Sequence, residues 1–262
     1  MQNIKIGCIF NEHSKNSIAA FEKLNGIYEF INMQEHPEAK IDFLVTIGGD
    51  GRMLKTLHSF KERNIPIYGL NTGSVGFLLN DFTIEHLIQR ITNADSVELY
   101  PLKMEVTTAD DKTVTAHAFN EISLLRQTNQ TAKIKVIIDD TTRIEELSAD
   151  GVLVATPAGS TAYNVAVNGP ILPLDANLMA LTAISPFRPR KWPGALLSHN
   201  SKLRFEVLQN NKRPVSAVAD SFEVRNIKSV SVYMDFSVKK TLLFDSSANF
   251  RERVFKEQFL QD

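Results

Sequence analysis

The chain has 262 residues, 43% hydrophobic and 23% charged, which fits one large or two ordinary globular domains and excludes an intrinsically disordered chain. Its 29 basic and 30 acidic residues leave a net charge of −1, so no global field draws it to nucleic acid or an anionic membrane, and an anionic ligand must be held locally. One cysteine, Cys8, excludes an intrachain disulfide framework and a multi-cysteine zinc site, and none of the six histidines has metal-ligand spacing with another His or Cys.

Ile4 to Phe10 is a short apolar run that makes Cys8 a buried strand residue, and Asn11-Glu12-His13-Ser14 follows as a turn and helix cap. Ile18, Ala19, Phe21, Leu24 and Ile27 then recur at helical spacing. Phe43 to Ile47 is a second strand, breaking into Gly48-Gly49-Asp50-Gly51, after which Met53, Leu54, Leu57 and Phe60 mark a helix. Ile65 to Leu70 reads as a third strand ending at Asn71-Thr72-Gly73, and Ile84, Leu87, Ile88 and Ile91 as another helix. Such alternation predicts a parallel sheet covered by helices. From about Val97 the period becomes two, at Met104/Val106, Ile134/Val136/Ile138, Leu203/Phe205/Val207 and Val230/Val232. Asp110-Asp111, Asp139-Asp140 and Asn210-Asn211 serve as turns, which predicts an antiparallel β region. Phe250, Val254, Phe255 and Phe259 suggest a terminal amphipathic helix. The expected plan is α/β plus β: an α/β domain over 1–100, a sandwich-like β-rich domain over 101–240, and a helical tail over 241–262 returning to the first domain. With no signal-peptide layout and no apolar run near the ~20 residues of a membrane helix, a cytoplasmic location is expected.

Three constellations carry chemistry. Gly48-Gly49-Asp50-Gly51 stands between a strand and a helix, where glycines permit close backbone approach and the free N–H groups of the helix suit phosphate. Asp50 is then a base or an indirect magnesium ligand; the plainer reading is a capping aspartate in a tight turn. The loop matches neither GxGxxG nor GxxxxGK[ST]. Asp150-Gly151-Val152-Leu153-Val154-Ala155 runs into Thr156-Pro157-Ala158-Gly159-Ser160-Thr161-Ala162-Tyr163-Asn164, a cluster of small and hydroxyl residues with one aromatic face, suited to adenine and ribose. Its plainer reading is a loop with a helix cap at Ser160 or Thr161. Asn120-Glu121 could read an adenine edge and ribose hydroxyls, or be a solvated pair at a strand end.

Gly48-Gly49-Asp50-Gly51, Asn71-Thr72-Gly73-Ser74-Val75-Gly76-Phe77-Leu78, Asn120-Glu121, and Asp150-Gly151 with Thr156 to Tyr163 resemble the NAD kinase family in order and spacing. The GGDG element alone is shared with lipid kinases and phosphofructokinases; the TPAGSTAYN element is specific. The resemblance implies an ATP-dependent phosphorylation of NAD to NADP, with Mg2+ or another divalent cation carried on the ATP phosphates and no metal bound by the protein alone. It implies Asp50 as the base at the 2′-hydroxyl of the adenosine ribose, Gly48, Gly49 and Gly51 at phosphates, Lys55 near phosphate or ribose, and Phe77 against adenine. Asn120 and Glu121 would contact the dinucleotide, Thr161, Ala162 and Tyr163 the adenosine half, with Ala158 and Ala166 as further lining. Asp150 would bind the other ribose, in the family often across a subunit interface, which implies a homodimer or homotetramer. Arg52, Ala149 and Ala166 depart from the commonest family residues. A GGDG-type lipid kinase and a non-catalytic NAD or NADP sensor are the competing readings. Two features stay outside these roles: the basic, aromatic Phe187-Arg188-Pro189-Arg190-Lys191-Trp192, a phosphate-neutralising or interface segment or a solvated loop, and Asp220, a phosphate-site residue or a solvated cap.

Overall fold

A computed structural model of the chain describes residues 4–73, 76–246 and 259. It divides into two units, residues 1–99 with 238–262 and residues 100–237.

The first unit contains β1 (Ile6–Phe10), α1 (Lys15–Tyr28), β2 (Ile31–Asn32), β3 (Phe43–Gly48), α2 (Asp50–Ser59), β4 (Ile67–Asn71), β5 (Asn80–Asp81), α3 (Leu87–Thr92) and β6 (Asp95–Leu99). The second contributes β7 (Leu102–Thr108), β8 (Thr113–Ala118), β9 (Glu121–Arg126), β10 (Ala132–Ile138), β11 (Thr141–Ala149), β12 (Gly151–Ala155), a 3-10 turn (Ala158–Thr161), α4 (Tyr163–Ala166), β13 (Leu178–Ile184), β14 (Gly194–Ser198), β15 (Leu203–Val207), β16 (Val215–Ala219), β17 (Phe222–Val224) and β18 (Ile227–Met234). The chain then returns to the first unit with β19 (Lys240–Phe244).

The first sheet runs β2-β1-β3-β4-β19-β6, with β5 beside β4. Its strands pair in parallel except β19 with β6. β1 is buried along its whole length, and Cys8 is fully enclosed, as an all-apolar parallel strand demands. Ser14 caps α1, its Oγ accepting the Ser17 N–H. The buried face of α1 is Ser17, Ala20 and Leu24, whereas Ile27 is 60% exposed, because the helix ends just beyond it with Glu29 in the left-handed conformation.

The second unit is a β-sandwich of two six-stranded sheets, β11-β10-β15-β18-β7-β8 and β14-β13-β12-β9-β16-β17. The four period-two runs land on β7, β10, β15 and β18, neighbours in the first of these sheets, and their apolar residues are buried in one core with Ile122, Val152, Val154 and Ala217 of the other. Asp139 and Asp140, both with positive φ, make the tight β10–β11 turn.

One expectation changes. The segment read as the start of a helical tail forms β19 instead, since Leu242, Leu243 and Phe244 pack in the sheet core. The remaining tail at 247–258 and 260–262, with its expected helix, lies outside the described residues; Phe259 is helical and exposed.

Candidate active site

The candidate residues fall into two groups, one in each unit. In the first, β1, β3 and β4 deliver three loops to the carboxyl ends of adjacent parallel strands, where open α/β sheets bind ligands. Gly48 and Asn71 are paired across β3 and β4, and the Thr72 N–H donates to the Gly48 carbonyl at 2.9 Å, so the GGDG and NTG segments are neighbours. Gly49 is the N-cap of α2 without any side chain to cap it, and Asp50 is the first helical residue. The aspartate therefore does not cap its own helix. Its Oδ2 accepts the Phe77 N–H at 2.9 Å and its Oδ1 the Leu78 N–H at 3.0 Å, so it clasps the far end of the NTG segment. Residues 74 and 75 of that segment lie outside the described residues.

The glycines of the loop differ in what they face. A Cβ on Gly48 would meet the Arg52 Cβ at 2.7 Å, so this glycine serves packing. A Cβ on Gly49 or Gly51 would meet nothing within 4 Å. They border a cleft of about 420 Å3 whose other lining residues are Asn11, Glu12 and His13 from the β1–α1 loop and Arg52 and Lys55 from α2. Lys55 is exposed one turn beyond Gly51 on the same helix face. Burial holds Arg52 below the usual guanidinium range, with Glu12 opposing. Among the described residues its Nε has no hydrogen-bond partner. A helix start, two cations and open glycines form a cleft that suits a polyphosphate. Arg52 and the β1–α1 loop enter it through the fold; in the sequence only the departure at position 52 marked them.

In the second unit, β9 and β12 lie side by side, with Glu121 opposite Ala155, which brings Asn120-Glu121 next to the TPAGSTAYN segment. Gly159 sits so close that a Cβ would fall 2.1 Å from the Asn120 carbonyl oxygen; only glycine fits this approach. Two hydroxyls and one amide of this segment bond to other parts of the protein. Thr156 Oγ1 donates to the Phe119 carbonyl at 2.6 Å and accepts the Gly159 N–H at 3.0 Å. Ser160 Oγ donates to the Pro157 carbonyl at 2.7 Å and accepts the Leu172 N–H at 2.9 Å, so it caps no helix. Asn164, also buried, donates to the Pro170 carbonyl and accepts from Thr182 Oγ1 at 2.6 Å. Thr161, Ala162 and Tyr163 remain half-buried, Ala158 is buried, and Ala166 is exposed beside a second cleft of about 310 Å3 that also includes Ser185, Lys191 and Trp192.

Glu121 is the most perturbed acid in this unit. Its carboxyl is pushed up to about 7, by burial first and then by the negative charge of Asp220, with the Tyr163 N–H opposing. Among the described residues its Oε2 and the Oδ1 of Asn120 are buried and have no hydrogen-bond partner. Asp150 is engaged by Arg126, whose Nε lies 2.5 Å from its Oδ1, a pairing that no motif in the sequence signalled.

Among the described residues no helix is long and apolar enough to cross a membrane. A profile of the ATP-NAD kinase N-terminal domain matches residues 5–97, and one of the ATP-NAD kinase C-terminal domain matches residues 119–241. The NAD kinase of Rhizorhabdus wittichii is 47% identical over 242 residues, covering 92% of each chain. That of Brucella suis biovar 1 is 48% identical over 239 residues, covering 91% of this chain and 93% of its own. In fold, the chain is similar to yeast NADH kinase complexed with NADH (TM-score 0.82, 20% identity, 99% of this chain and 89% of that one). It is also similar to an NAD kinase from Archaeoglobus fulgidus in complex with ATP (TM-score 0.73, 23% identity, 98% and 99%). With both halves matched in order and relatives near half identity along nearly the whole length, the chain belongs to the ATP-NAD kinase family.

Proposed function

We propose that this chain transfers the γ-phosphoryl group of ATP to the 2′-hydroxyl of the adenosine ribose of NAD, giving NADP and ADP. The observation that carries the reading is the GGDG loop at the start of α2, where Gly49 and Gly51 face open space and Asp50 is fixed by two backbone N–H groups. In phosphoryl transfer, positioning and charge neutralisation do most of the work, because the transition state spreads charge over the phosphoryl oxygens. The α2 amides, Lys55 and Arg52 supply that neutralisation on the cleft side. Asp50 takes the proton from the 2′-hydroxyl as its oxygen attacks phosphorus and ADP leaves. A carboxylate offers about four acceptor sites, so two donated N–H bonds orient Asp50 without exhausting it. Phe77 follows from the segment that Asp50 clasps and lies against the adenine.

In the second unit, Asn120, Glu121, Thr161, Ala162 and Tyr163 hold the dinucleotide, with Ala158 and Ala166 lining its path and Asp150 at the other ribose. Among the described residues no three His, Cys, Asp or Glu side chains converge on a metal-sized site. A divalent cation, Mg2+ first, would arrive on the phosphates of ATP and would offset their charge. A cytoplasmic location fits a reaction that consumes ATP and NAD. Assembly into a homodimer or homotetramer is supported by β14, an edge strand that leaves Leu196 52% exposed.

The test is NADP formation from NAD and ATP with Mg2+, with Asp50→Asn as the paired control. Product from the parent chain and almost none from the variant supports reaction and base together. NAD binding without any NADP or ADP release would turn the reading into a sensor.

A further inference from the structure

The Asn120-Glu121 turn is gripped from two sides. β16 ends at Ala219, and the next residue, Asp220, has a φ of 51°, in the left-handed region that Asp and Asn tolerate better than most residues. From there its carboxylate accepts three consecutive backbone N–H groups: Phe119 to Oδ2 at 2.8 Å, and Asn120 and Glu121 to Oδ1 at 3.0 and 3.2 Å. The Asp220 N–H in turn donates to the Glu121 carbonyl at 3.1 Å. On the other side Thr156 takes the remaining carbonyls, its Oγ1 donating to Phe119 and its N–H to Asn120 at 2.9 Å. The backbone of 119–121 is thus spent on protein, while among the described residues Asn120 Oδ1 and Glu121 Oε2 are buried without a hydrogen-bond partner.

We propose that Asp220 is a positioning residue for dinucleotide binding, its carboxylate fixing the 119–121 backbone from which Asn120 and Glu121 present their side chains. The proposal deepens the NAD kinase reading and rests on it for the identity of the ligand. A carboxylate suits the task because it accepts from three N–H groups at once and donates nothing. The same charge acts on Glu121. The groups facing Glu121 are Asp220 from the β16–β17 turn and Tyr163 at the start of α4, and Tyr163 is itself raised by burial, then by Glu121 and Asp150. Near neutral pH Glu121 therefore passes between a neutral donor and a charged acceptor, and NAD affinity titrates with it. Its midpoint depends on the charge at Asp220.

Asp220→Asn keeps the left-handed tolerance and one oxygen for Asn120 and Glu121, but loses the charge and the acceptor for Phe119. In the full chain we expect amide exchange at Phe119 to quicken at least about tenfold and KM for NAD to rise about tenfold, with KM for ATP within about twofold. The pH midpoint of KM for NAD moves to lower pH, because removing a neighbouring negative charge makes Glu121 easier to ionise. A merely structural role would not move that midpoint. Glu121→Gln leaves the clasp in place, and is expected to flatten the pH dependence with exchange at 119–121 unchanged. Unchanged exchange and unchanged KM for NAD in Asp220→Asn would overturn the proposal; so would fast exchange throughout the second unit, which would make Asp220 a general stability element. The exchange result does not depend on turnover, so it separates failure of this proposal from failure of the kinase reading, which absence of NADP formation by the parent chain would reveal.

Discussion

Asp50 and Asp220 use their carboxylates alike, each accepting backbone N–H groups from a segment far away in sequence. The base role separates them. Asp50→Asn should lower kcat by about 10²–10⁴-fold with little change in thermal stability; a kcat within about tenfold of the parent would remove Asp50 from that role. Gly51→Ala probes the neighbouring space. An added Cβ meets nothing there and alanine favours the helix, so stability should rise by up to about 1 kcal/mol while KM for ATP increases. A variant that is both more stable and equally active would place the phosphates elsewhere. Glu121 makes a prediction in pH. Its folded-state carboxyl titrates near 7, above the ordinary 4.5, so the folded state holds the proton more tightly than the unfolded one. Its burial is then harmless below about pH 4.5, costs progressively more as pH rises towards 7, and levels off above, at most about 3 kcal/mol. Denaturant titrations should find Glu121→Gln more stable than the parent at pH 8 but no more stable at pH 4.5.

At the scale of the element, α2 is secured at both ends. Its first turn lies on the GGDG loop, and beyond its last turn the ammonium of Lys240, a residue 1% exposed on β19, donates to the Phe60 and Arg63 carbonyls. A buried cation at a helix C-terminus meets both the orphan carbonyls and the negative end of the dipole. Burial pulls the ammonium down to about 8. Lys240→Met should fill the same space yet leave the carbonyls unmatched, at a cost of about 1–3 kcal/mol in chemical denaturation. A neutral outcome would mean that packing alone seats the helix. A few residues on, Asp245 receives the Tyr68 hydroxyl at 2.6 Å and the Arg90 guanidinium at 2.6 Å, so the same strand is tied to β4 and α3.

For the whole molecule, β19 makes the first unit discontinuous in sequence. It lies between β4 and β6, and among the described residues β6 pairs with no other strand of the sheet. A chain ending at Ser237 should therefore lose the cooperative unfolding of the first unit while keeping that of the β-sandwich, as read by amide exchange; protection retained in β1, β3 and β4 would show that the parallel strands suffice. The alternation of strand and helix, the change to period two near residue 97 and the motif order were all legible in the sequence, because periodicity and turn chemistry are local. Local too were the cap at Ser14 and the buried strand around Cys8. What each polar residue faces was not local. The partners of Thr156, Ser160 and Asn164 include Phe119, Leu172 and Thr182, outside their own segment, and only the pairing of β9 with β12 puts the Phe119 and Asn120 carbonyls beside Thr156. Asp220 was visible only as an acid at a strand end, and its three N–H donors lie some hundred residues earlier. The family, the two kinds of sheet and the candidate loops could all be read along the chain. Tertiary structure alone decided which of their groups are bound within the protein and which stay unmatched, because hydrogen bonds between distant segments leave no periodic trace in the chain.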